Sequence, residues 1–217
     1  MSEVDDLFGD SDNGPVEDED EIELTGEELV ARITTAWINE RQCPEILPSQ
    51  SELIECLLEQ IRITQEALRS QTADLKNSIK HLEVDRLRYL CVSYLRTRLH
   101  KIEDQVFHVL QDPSAKASLS VEEQTYAEEY INLIEKQMNR SVLDNLPQIS
   151  RKFEISKFQR EPDLDQYVFA KVNKAQRNVM IDPDDAEGIV DLEPNAQYLL
   201  NYRPIAQLLK DNAVSLI

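Results

Sequence analysis

Glycine is scarce in this chain. The 217 residues hold four glycines, at 9, 14, 26 and 188, each standing alone. That leaves no glycine-rich loop to wrap a phosphate group. With nine prolines, the scarcity argues against a loop-rich β-sandwich and for long helices. Long apolar runs are also missing: no stretch approaches the roughly 20 residues of a membrane span. The first residues are acidic, without the basic and apolar segments of a secretory signal, so export is not expected. Cysteine is limited to Cys43, Cys56 and Cys91. They are odd in number, far apart and without CxxC spacing, the pattern of free thiols in a reducing compartment. The expectation is a cytosolic or nuclear protein.

Catalytic patterns are missing as well. His81, His100 and His108 fall on one predicted helix, but no pair has the i, i+4 spacing that sets two metal ligands side by side. The thiols have no partner base, and carboxylates this abundant are the background of a charged surface. No enzymatic activity, metal or cofactor is expected.

Charge is present in quantity, and it is uneven. The formal net charge is −19, with 42 acids and 23 bases. Residues 1–31 carry 13 of the acids and no base, so the remainder is only mildly acidic. An acidic balance opposes tight independent binding to a phosphate backbone. Residues 1–23 read as a disordered acidic tail, too polar to bury a core. Within it lies one apolar island, and Asp5, Asp6, Leu7 and Phe8 have the make-up of a short docking peptide.

Hydrophobic residues make up 41% of the chain, enough for a core. Thr25 and Glu28 form a capping-box pattern ahead of Leu29, Ile33, Ala36 and Trp37, which share a helical face. Trp37 is expected between helices. A second box, Ser49 with Glu52, predicts a helix to about Ser70. From Asp74 to Leu110 neither Gly nor Pro interrupts the pattern, and Asp112-Pro113 stops it. A third box, Ser120 with Glu123, opens a helix that Asn145-Leu146-Pro147 closes. Four such helices make a bundle over residues 24–147.

The texture changes after Pro147. Residues 148–164 read as a polar linker, and 165–217 as a small β-rich domain. Its strands are expected at Tyr167–Val172, Asn178–Ile181, Gly188–Leu192, Gln197–Leu200 and Val214–Ile217, with a short helix near Ile205–Leu209 and a turn at Asp182–Asp185. Tyr167, Phe169, Leu216 and Ile217 are its expected anchors. So small a domain is expected to lean on the helices or on a neighbour.

The segment Asp85–Glu103 is apolar almost all the way round, the mark of a helix central to a bundle or covered by another subunit. Tyr89, Tyr94 and Leu95 belong to it, as do five bases: Arg86, Arg88, Arg96, Arg98 and Lys101. Those bases suit nucleic acid or ion pairs with neighbouring helices. The overall charge favours the pairs. A stand-alone nucleic-acid-binding module on this helix is the rival reading.

The same residues carry a family resemblance. Ala36-Trp37-Ile38-Asn39-Glu40-Arg41 with Pro44-Glu45-Ile46-Leu47 resembles the first-helix signature of the SLD-five family of eukaryotic GINS subunits. Arg86 to Glu103 is similar to that family's central helix, and Pro162 to Phe169 to the opening of its C-terminal domain. Tyr202-x-Pro204-Ile205-Ala206 and Val214–Ile217 resemble its end. The resemblance covers about residues 22–217. It implies a mainly α protein, with a helical A domain followed by a small β-rich B domain. It further implies a nuclear, non-catalytic structural subunit beside the other three GINS subunits. By the same resemblance, that heterotetramer joins the MCM ring and the RecJ-like Cdc protein as the replicative helicase, and contacts polymerase epsilon. Asp5 to Phe8 loosely resembles the peptide by which some members dock on the adaptor trimer of polymerase alpha. DNA contact would be weak or indirect.

Overall fold

The computed structural model describes residues 25–69, 74–145, 160–181 and 189–217. An N-terminal helical bundle is followed by a small strand-containing domain. Helix α1 spans Gly26–Gln42, α2 Ser51–Arg69, α3 Leu75–Gln111, α4 Pro113–Ala117 and α5 Val121–Ser141, and a 3₁₀ turn covers Leu143–Asn145. The expected apolar island at residues 4–8, the linker centre and the Asp182–Asp185 turn lie outside the described residues.

Two of the three capping boxes form. The Thr25 hydroxyl accepts from Glu28 N–H at 3.3 Å, while the Glu28 carboxylate accepts from Thr25 N–H at 3.2 Å. Ser120 and Glu123 repeat the arrangement at 3.2 and 2.9 Å. The box expected at Ser49 and Glu52 does not form, and α2 starts at Ser51. Tertiary partners hold the backbone N–H groups at this end instead. Ser49 N–H donates to the Ser118 carbonyl at 2.9 Å, and Gln50 N–H donates to the Tyr94 hydroxyl at 3.3 Å. At the other end of α3, Asp112 accepts from Ser114 N–H and starts α4, with Pro113 in its first turn. The expected stop is thus also a start.

One face of α3 supplies the bundle's centre. Val84, Cys91 and Tyr94 pack with Leu29 and Ile33 of α1 and with Ile54, Leu57, Ile61 and Leu68 of α2. Further along, Ile102, Val106 and Val109 pack with Ile46, Leu119 and Ala127. The helix bends at Gln105 (φ −121°, ψ 20°), whose side-chain amide donates to the Pro44 carbonyl at 3.1 Å.

The strands are β1 Tyr167–Val172, β2 Gln176–Met180, β3 Ile189–Leu192, β4 Gln197–Asn201 and β5 Val214–Leu216, with helix α6 at Tyr202–Lys210. An antiparallel sheet runs in the order β4-β1-β5, and β2 and β3 pair separately. Val168, Ala170 and Val172 point to the side where Ile205 and Leu209 of α6 pack. Alternation then sends Tyr167 and Phe169 outward, 66 and 62% exposed. This corrects the expectation that those aromatics anchor the domain. Leu216 does face the core, at 4% exposure, whereas Ile217 is 48% exposed.

The small domain does not close its core alone. Cys43 and Leu47, from the segment after α1, belong to the same apolar cluster as Val214, Leu216 and Tyr202. Burial among these groups pushes the Cys43 thiol up to about 12, so it stays neutral. Three polar contacts reinforce the junction. Leu216 N–H donates to Asn39 Oδ1 at 2.8 Å. The Tyr202 hydroxyl donates to Glu45 at 2.7 Å, and Lys210 pairs with the same carboxylate at 3.1 Å.

Candidate functional site

The charged and apolar groups of α3 divide between two faces with different tasks. Toward the bundle, Arg98 is fully buried. An arginine has five N–H donors in a planar fork, and all five are used. Nε and Nη2 reach the two Glu123 oxygens at 2.7 and 2.8 Å. Nη1 reaches Glu40 at 3.1 Å and the Leu47 carbonyl at 2.6 Å. Nη2 also reaches the Ser118 carbonyl at 3.1 Å. Lys101 adds contacts to Glu40 and to the Glu45 carbonyl, both at 2.8 Å. One cluster therefore ties together α1, the segment after it, α3, the turn after α4, and α5. A lysine in place of Arg98 could not make the bidentate contact or fill the fork.

Glu123 belongs both to this cluster and to the α5 capping box. Burial raises its pKa most strongly, but hydrogen bonds and charge from Arg98, together with Ser120, outweigh that and hold the carboxyl below its ordinary 4.5. Ionised Glu123 therefore stabilises the fold above that pH. The stabilisation is lost as pH falls through the lower native value. Thermal melts from neutral pH down to about pH 3 should show Glu123→Gln closing its gap on the wild type as acid is added. A gap that stays constant would mean that Glu123 carries no such linkage.

Away from the bundle, α3 exposes large apolar side chains: Leu75, Ile79, Leu82, Tyr89, Val92 and Leu95. Arg86, Arg88 and Arg96 lie on the exposed side too, and Arg88 pairs with Asp85 at 3.3 Å. The five bases do not act as one group, because only Arg98 and Lys101 turn inward to ion pairs. Tyr94 is buried beneath the Arg98 guanidinium, 5.7 Å from its ring centre. Trp37 meets the edge of Tyr89 with ring centres 6.5 Å apart, and Arg41 lies over its ring at 5.8 Å.

Trp37 is half-buried rather than enclosed between helices, at the rim of the α1–α2–α3 core. Trp37→Ala is accordingly expected to cost about 1–2 kcal/mol, well under the roughly 3–5 of a fully buried tryptophan. Thermal melts beside partner pull-downs check this. A loss near the upper figure would place Trp37 in the core.

Sequence reasoning missed Asn39, Glu40, Glu45 and Tyr202 as structural groups. Asn39 and Glu40 are polar residues near the end of an amphipathic helix, which reads as solvent-facing. Their partners lie far along the chain. Glu123 was visible only as a helix cap. Among the described residues no group of His, Cys, Asp and Glu is placed to hold a metal ion.

Comparison with known proteins fits this architecture. The family model described as the GINS complex protein helical bundle domain matches residues 52–142. The model described as the DNA replication complex GINS protein SLD5 C-terminus matches residues 162–217. A rat protein named DNA replication complex GINS protein SLD5 is 40% identical over the whole of both chains. The chain belongs to the SLD5 family. The human SLD5 protein is 39% identical over 99% of each chain. An Arabidopsis SLD5 protein is 26% identical over 87% of this chain and 90% of its own. The SLD5 bundle match covers α2 to α5, and the C-terminal match covers β1 to β5. Helix α1, with Asn39 and Glu40, lies outside both models but within the full-length SLD5 alignments.

Proposed function

We propose that this chain is a non-catalytic structural subunit of the GINS heterotetramer, acting in the nucleus in DNA replication. Its curated relatives are named DNA replication complex GINS proteins. The observation that carries the structural role is the double-sided α3. One side is the core of the bundle, and the other leaves Leu75, Leu82 and Tyr89 more than 60% exposed. Apolar side chains clustered this way mark an interaction face. In this reading the chain assembles with the other three GINS subunits. The complex joins the MCM ring and the RecJ-like Cdc protein as the replicative helicase and meets polymerase epsilon. Asp5 to Phe8 would dock on the adaptor trimer of polymerase alpha. The ATP-driven chemistry would belong to the ring.

Co-expression with the other three subunits tests the proposal. A stoichiometric four-chain complex by native mass spectrometry is expected. The assembled chain should melt higher than the isolated one, because a partner that binds only the folded form stabilises it. A chain that stays monomeric beside the other subunits overturns the reading. The exposed Arg86 and Arg96 favour one rival, direct nucleic-acid binding. Tight binding of the isolated chain to fork DNA, with a steep salt dependence, would support that rival instead.

A further inference from the structure

We propose that the cleft between the bundle and the small domain holds the chain's own residues 5–8, stored there until an outside partner withdraws them. The storage rests on the cleft, and the withdrawal rests on the docking role given above to that segment. The cleft measures about 640 Å³ and lies where α1, the segment after it, α2 and α6 meet, a size within the range of ligand sites. Leu47, Pro48, Leu53 and Leu209 supply its apolar surface, and Arg32 and Lys210 its cations. Glu40 is the one carboxylate among the described residues that lines it. That carboxylate is already committed to Arg98 at 3.1 Å and to Lys101 at 2.8 Å. Arg32, by contrast, is exposed and has no ion-pair partner among the described residues. The side-chain amides of Gln50 and Asn212 also line the cleft, without a hydrogen-bond partner among the described residues.

Apolar surface beside cations and free amides fits a peptide that is apolar and acidic at once. Asp5-Asp6-Leu7-Phe8 has that make-up, with Val4 before it and Asp10 after it. The segment is also within reach. The cleft begins at Ala31, about 9 Å along α1 from Thr25 at about 1.5 Å per residue. Phe8 lies 17 positions before Thr25, a stretch that extends to about 60 Å at most. A peptide on a short tether that spans to its site is present there at an effective concentration of millimolar order. An acidic peptide from another protein has no such advantage. A small anion would meet Arg32 and Lys210 but leave the leucines and Pro48 bare. Nucleic acid would set phosphates against that apolar surface, on a chain of net charge −19.

Benzoylphenylalanine, a photo-cross-linker, in place of Phe8 tests the storage in the full-length chain. Mass spectrometry should find cross-links within one chain, at Pro48, Leu53 or Leu209, with a yield that ten-fold dilution leaves constant. Arg32→Glu should lower that yield about three-fold or more, by removing a cation that meets the acids. Its thermal melt should match the wild type, since Arg32 is exposed and unpaired. Products that join two copies of the chain overturn the proposal. So do cross-links confined to residues outside the cleft, cross-links to another subunit in the assembled complex, or a yield indifferent to Arg32→Glu. The affinity of the full-length chain for the adaptor trimer then reads the withdrawal. Arg32→Glu should bind about three-fold tighter or more, because a stored peptide loses apparent affinity in proportion to its closed fraction. Equal affinities overturn the withdrawal. If neither protein binds the trimer while the cleft cross-links form, the docking reading fails and the storage stands.

Discussion

Replacing Arg98 with methionine is expected to destabilise the helical bundle by about 3–5 kcal/mol, because removing one partner of a buried ion pair leaves the other charge buried and unmatched. Two carboxylates are at stake. Glu40 is 1% exposed and Glu123 8%, and both reach the one guanidinium. The Leu47 and Ser118 carbonyls lose a donor at the same time. Glu40 keeps Lys101 at 2.8 Å, so Glu123 is the more exposed to the loss. Adding Glu123→Gln to the methionine variant should therefore recover part of the stability by removing the stranded charge. Urea unfolding of the single and double variants reads this directly. If the single variant costs less than about 1 kcal/mol, the cluster is no more consequential than a surface ion pair.

Deleting Leu216 and Ile217 is expected to release the small domain from the bundle while the bundle stays folded. Leu216 is buried against Cys43, Leu47 and α6, and losing a buried leucine side chain costs about 2–5 kcal/mol. Its N–H also satisfies Asn39 Oδ1, a buried acceptor, and leaving that acceptor unmatched adds about 1–3 kcal/mol. Ile217 contributes less, through its N–H to the Phe169 carbonyl at 3.1 Å. Limited proteolysis of the truncated chain should open residues 166–213 before it opens α1 to α5. Equal protection of that stretch in the truncated and full-length chains would show that β5 is dispensable.

The elements most legible in the sequence were those with local signals. The boxes at Thr25 and Ser120 mark the starts of α1 and α5, since each needs only residues one turn apart. Strand β1 follows from its β-branched and aromatic run, and β5 from its apolar alternation. Where tertiary structure decided the matter, the pattern was silent. Nothing local to Ser49 tells that its N–H will serve the Ser118 carbonyl. Tyr167 and Phe169 were expected anchors, yet both face outward. The side actually buried is set by where α6 packs, over Val168, Ala170 and Val172. Along α3, apolar residues on both sides hide which stripe turns inward. The five bases looked alike until the fold brought Glu40 to Arg98 and Lys101, and Glu123 to Arg98.

The junction between the two domains also governs how the chain can reach its fold. The Leu216–Asn39 bond joins groups 177 positions apart, a very high sequence separation for so short a protein. Contacts of that kind slow folding, because the entropy of closing the loop is lost before any contact repays it. During synthesis the bundle's helices emerge first. Cys43 and Leu47 then stay uncovered until strand β5 has left the ribosome. For that interval the nascent protein presents an incomplete apolar surface, the kind of transient exposure that favours aggregation.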